Sequence, residues 1–128
     1  MRRTALGALT GVIALVAVLL VLWPRGVEAQ PQTAESTRYR FVLTPSSTKS
    51  GSTTLDLMIT DLAGNAARGD VTVEPAMPRM GHALAPITAA PVEPGHYRVG
   101  DVGLFMAGQW EITVSLSAER VVIPLLLT

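Results

Sequence analysis

Met77-Pro78-Arg79-Met80-Gly81-His82 places two thioethers and an imidazole within six residues. Thioethers are soft ligands that prefer Cu(I), and imidazole suits both oxidation states of copper. Gly81 gives the backbone room ahead of His82, and Met106, within Gly-Leu-Phe-Met-Ala-Gly-Gln-Trp, can approach from a neighbouring loop. These types and spacings give a candidate metal set of Met77, Met80, His82 and Met106, with copper as the cofactor. The same residues also read as packing. Methionine fills irregular gaps beneath loops; Gly81 would then make a sharp turn, and His82 would donate a hydrogen bond to a backbone carbonyl. His96, beside Pro94-Gly95, reads as exposed, and Met58 as facing away from the core on its strand.

Other chemistries find little support. The chain has no cysteine, which removes disulfide staples, thiolate metal sites and cysteine nucleophiles together. There is no G-x-S-x-G, no H-E-x-x-H and no phosphate-cradling glycine loop. Carboxylates are scattered singly, so no paired acid and base is visible. The chain is therefore expected to bind rather than catalyse. From Gln30 onward seven Lys and Arg stand against nine Asp and Glu, a net of −2, which offers no basic face for nucleic acid.

The beginning of the chain sets the expected compartment. Ala5 to Trp23 is apolar and uncharged, follows Met1-Arg2-Arg3, and precedes Arg25. As a helix at ~1.5 Å per residue it is roughly 28 Å long, close to a bilayer core of ~30 Å. That exceeds the ~7–15 apolar residues of a cleaved signal peptide, although Val27-Glu28-Ala29 resembles a small-x-small cleavage site. A retained N-terminal transmembrane anchor (residues 1–23) is the favoured reading, and a signal helix is the alternative. Positive charge ahead of the run places the N-terminus in the cytoplasm. The expected location is the cytoplasmic membrane, single-pass, with the domain on its periplasmic or extracellular side. Residues 24–37 are polar, hold two prolines, and read as a tether; the domain is expected over 38–128.

The elements that must position the soft residues follow a period of two. Phe41 and Leu43, then Leu55, Leu57 and Ile59, then Val71 and Val73, Tyr97 and Val99, and Trp110, Ile112, Val114 and Leu116 alternate with polar neighbours. Each run is a half-buried strand pattern, and together they form the expected core. Turn chemistry separates them at Pro45–Ser52, at Asp61–Asp70 with Gly64-Asn65, and at Glu93-Pro94-Gly95. Buried Trp110 needs a partner for its indole N–H, expected to be a backbone carbonyl. Val121 to Leu127 is almost wholly apolar, but Pro124 argues for an edge or a bulge. Between Val73 and Tyr97 five prolines interrupt the alternation and mark a long irregular connection, the kind of place where a scaffold carries a site. Short strands with such spacing indicate an all-β fold, a β-sandwich.

Two elements carry a family resemblance. The first is Met77 to His82. The second is Gly95, Tyr97, Phe105, Met106, Gly108, Trp110 and Val114; an earlier, looser part comprises Asp61, Gly64 and Gly69 through Val73. Over roughly Arg38 to Leu116 the chain resembles the YtkA-like domain family, which is related in pattern to FixH-like proteins. The resemblance implies an immunoglobulin-like β-sandwich, membrane-anchored or secreted. Some relatives sit near copper-handling or cytochrome-oxidase-assembly proteins, so an envelope or oxidase-assembly protein is the implied partner, beside the membrane itself. CopC-type sandwiches often bind copper with a histidine at the mature N-terminus; cleavage here would expose Gln30. The alternative function is a protein-interaction or structural module of the cell envelope that binds no metal.

Overall fold

The computed structural model describes residues 29–128. The expected anchor, and with it the expected cytoplasmic N-terminus, lies outside them. Among the described residues no helix is long and apolar enough to cross a membrane. In chain order the strands are β1 (Gln32–Glu35), β2 (Tyr39–Pro45), β3 (Gly51–Asp61), β4 (Val71–Met77), β5 (His82–Ala83), β6 (Ile87–Thr88), β7 (Ala90–Glu93), β8 (His96–Leu104), β9 (Gly108–Leu116) and β10 (Glu119–Leu127), with one 3-10 turn over Pro78–Met80.

They form two antiparallel sheets. One has the order β1-β2-β3-β8-β7; the other runs β10-β9-β4-β5, with β6 also paired to β4. Lettering β2, β3, β4, β7, β8, β9 and β10 as A to G gives A-B-E-D against G-F-C, the strand order of constant-type immunoglobulin sandwiches. Inward residues of both sheets share one hydrophobic cluster, from Phe41 and Leu57 on the first to Trp110 and Ile123 on the second. The thirteen core residues expected from alternation are all buried. Burying each such side chain stabilises by roughly 1.5–3 kcal/mol before chain entropy is subtracted.

Two expectations change. The tether over 24–37 is shorter than expected, because Gln32–Glu35 already forms β1, pairing Gln32 with Leu43 and Glu35 with Arg40. The Ser36 side chain fixes the turn that follows, where its Oγ accepts the Tyr39 N–H at 3.2 Å. The alternation does not break at Val73: β4 continues through Pro75, which pairs with Ile112, to Met77. The apolar C-terminal run is an edge strand, as Pro124 argued: Val121, Ile123, Leu125 and Leu127 face the core while Val122 and Leu126 are exposed, and Pro124 sits where a missing N–H costs least.

The turn after β3 is built by Asp61. Its carboxylate accepts the N–H groups of Ala63 and Asn65, each at 2.9 Å, and the Asn65 side-chain amide at 3.1 Å. Those hydrogen bonds, the Asn65 backbone first, hold its carboxyl below the ordinary carboxylate range.

Candidate metal centre

The soft residues gather at one end of the second sheet, and local chemistry explains how. β4 ends at Met77, buried and facing the core. Pro78 opens the 3-10 turn with its φ already fixed. Gly81 closes it in the left-handed region at φ 62°, its N–H donating to the Pro78 carbonyl at 3.2 Å. Open space surrounds the place where a Gly81 side chain would stand. Glycine is thus required by backbone conformation, not by crowding. The chain then returns as β5, pairing His82 with Met77 and Ala83 with Ala76.

Register explains what His82 meets. Leu125 pairs with Trp110 across β10 and β9. The β9–β4 register, continued by one residue beyond Ala76 and Glu111, sets Trp110 opposite Met77. Leu125, Trp110, Met77 and His82 therefore form one row across the sheet. The first three are buried; His82, on the outermost strand, is exposed. Its ring stands edge-to-face against the Trp110 indole, centroids 5.9 Å apart and planes at 78°. Among the described residues this aromatic contact, not a hydrogen bond to a backbone carbonyl, is what positions the imidazole.

Trp110 ties in the second segment. Its indole N–H donates to the Met106 carbonyl at 2.9 Å, the kind of partner expected from sequence. Met106 is half-buried against the core. Gly108, at the start of β9, lies so close to Met77 that a Cβ there would stand 3.1 Å from the Met77 methyl. Three of the candidates are thus tied to Trp110 at different depths, Met77 inside the core, Met106 at its margin and His82 exposed, while Met80 stands 63% exposed on the neighbouring turn.

Among the described residues no three His, Asp or Glu side chains cluster in a way that could hold a metal. A metal ion at this end would therefore rest on thioethers with one imidazole, a donor set that suits a soft ion such as Cu(I) and not a hard one. Two open clefts lie at the opposite end, one beside Ala67–Asp70 and Pro91–Gly95 and one beside Arg38 and Asp61–Ala63.

Sequence reasoning missed two features. His96 is not simply exposed: its Nε2 shares a hydrogen bond of 2.9 Å with Asp56 Oδ1, which also accepts the Arg98 Nε–H at 3.0 Å. Burial raises the Asp56 carboxyl, but hydrogen bonds from His96 and Arg98 and the Arg98 charge outweigh it and hold the group below its ordinary value. The sequence signal was the β3–β8 pairing of alternating Asp56 and Arg98. The second feature is Phe105, 73% exposed, with its ring folded over Gly103, where a Cβ would fall 2.6 Å from a ring carbon.

A family model described as YtkA-like matches residues 33–115. The chain belongs to the YtkA-like family. Comparison with curated proteins and with solved structures found no match. The matched span begins inside β1 and ends inside β9, so it takes in both the Met77–His82 turn and the Phe105–Trp110 segment of this YtkA-like domain.

Proposed function

We propose that this YtkA-like domain is an immunoglobulin-like module of an exported, membrane-tethered accessory protein, and that it binds copper as Cu(I) at the Trp110 end of the sandwich. The observation that carries the reading is the exposed His82 imidazole, held by an aromatic contact at the edge of the row that contains Met77, with exposed Met80 two residues before it and Met106 fixed nearby through the Trp110 indole. Met80, His82 and Met106 are the accessible donors, and Met77 backs them from the core. Bound copper would supply rapid ligand exchange, which suits carriage and transfer to a partner such as an oxidase-assembly protein. The chain's own part is to hold the imidazole and the thioethers outside the core while Trp110 remains packed. The role is binding, not turnover.

The test is an anaerobic Cu(I) titration of the full chain in detergent against a competing chelator. The expected result is micromolar or tighter binding of one ion, weakened at least tenfold by His82→Ala and by Met80→Leu, a near volume-conserving swap. Absence of binding, or binding indifferent to both substitutions, overturns the copper reading.

A second reading, a metal-free envelope interaction module, is favoured by one observation. Edge strand β10 exposes Val122 and Leu126 on its outer face, on either side of Pro124, a surface that suits a protein partner.

A further inference from the structure

Strand directions fix where the chain enters the sandwich. β1 is antiparallel to β2, and Gln32 pairs with Leu43, two residues before β2 ends. The first residue of the first sheet therefore stands at the end where β2 turns into β3. The same end carries the 3-10 turn after β4 and the Phe105–Ala107 link from β8 to β9. It is stitched together by Ser50 N–H to Thr128 O and Thr128 N–H to Thr48 O, each at 2.9 Å. We call it the tip; it is also the end that holds Met80, His82 and Met106.

The surface of the tip is of one kind. Met80 and Phe105 are the two most exposed large apolar side chains among the described residues, at 63% and 73%. Beside them stand exposed Lys49 and Arg79, and the tip segments 46–50, 78–82 and 105–107 contain no Asp or Glu. The far end carries Asp61, Asp70, Glu93 and Glu119 at its turns. Only eight residues, Pro24 to Pro31, separate the apolar run from β1, so even fully extended they hold the tip within about 30 Å of the end of that run.

We propose that the tip docks on an anionic lipid surface, with Phe105 entering the interface and Lys49 and Arg79 pairing with lipid phosphates. This rests on the membrane tethering of the proposed function, not on copper. Apolar side chains flanked by basic ones match a headgroup boundary. A short tether makes even a weak contact effectively intramolecular. The accessible thioethers and the imidazole would then face the bilayer.

The absence of cysteine allows a clean test by single-site labelling of the full chain in vesicles. An environment-sensitive fluorophore is placed at Ser50→Cys on the tip and, separately, at Leu62→Cys on the far end. Vesicles of phosphatidylcholine with phosphatidylglycerol, or of phosphatidylcholine alone, carry a headgroup quencher. The expected result is quenching at position 50 only in the anionic vesicles, no quenching at 62, and loss of the signal at 50 on Lys49→Glu with Arg79→Glu or on Phe105→Ala. Equal quenching at both positions, quenching at 50 that ignores lipid charge and these substitutions, or contact seen only once a membrane protein is added overturns the proposal. An alkaline carbonate wash separates the two failures. Release of the chain from the vesicles defeats the tethering itself, whereas a retained chain with an unquenched tip defeats only the docking.

Discussion

At the scale of single residues, Gly81 and Trp110 hold the candidate centre in place by different physics. Gly81 sits at φ 62° with free space around it. Gly81→Ala is therefore expected to cost about 1–2 kcal/mol through the left-handed backbone alone. Gly81→Asn should recover part of that, since asparagine visits this region more readily; urea denaturation of the three proteins measures both. Trp110 fills the core and donates to the Met106 carbonyl. Trp110→Phe keeps a ring but removes the donor, and is expected to destabilise by about 1–3 kcal/mol. If the Met106 link positions a ligand, the same substitution also weakens Cu(I) binding in the chelator competition, while a purely structural link leaves affinity unchanged in the folded fraction.

At the scale of elements, the β3–β8 pair carries a charge device on its outer face, where Asp56 accepts from both His96 and Arg98. The carboxyl is held below its ordinary value of 3.8. The stability it contributes is therefore complete above the unfolded value and is lost as pH falls through the lower folded one. The group is partly exposed, 34% for its side chain, so solvent screening limits the effect to about 0–1 kcal/mol. Asp56→Asn is expected to lower stability at neutral pH and to flatten part of the loss below about pH 4, as read from denaturation midpoints across that range. Elements also show what the sequence made legible. Runs such as Trp110-Ile112-Val114-Leu116 announced their buried face because period-two alternation is a direct imprint of the pleat. β1 left no such imprint: Gln-Thr-Ala-Glu has only Ala34 to bury, and the strand exists through pairing with β2. The prolines that suggested a loop after Val73 hid the continuation of β4, since Pro75 pairs without its N–H. The residue types of the candidate centre were visible, but not their depths. That Met77 is buried while His82, in the same row, is exposed at the sheet margin depends on a register across three strands that no local pattern encodes.

At the scale of the whole molecule, one hydrophobic cluster spans both sheets, so neither sheet has a core of its own. Unfolding is expected to be a single cooperative transition. Far-UV circular dichroism and amide exchange on β3 and β9 should report the same midpoint, and separate midpoints for the two sheets would contradict a shared core. The early start of β1 also bears on the bond after Ala29. Val27-Glu28-Ala29 ends only three positions ahead of Gln32, whose partner Leu43 lies deep in the first sheet. A peptidase needs several residues of extended, unpaired chain on either side of the bond it cuts, and once β1 has zipped onto β2 that slack is gone on the downstream side. If a peptidase does act after Ala29, its action would be a race against folding: a fast hairpin between Gln32 and Pro45 would preserve the join, and a slow one would leave it open to the enzyme.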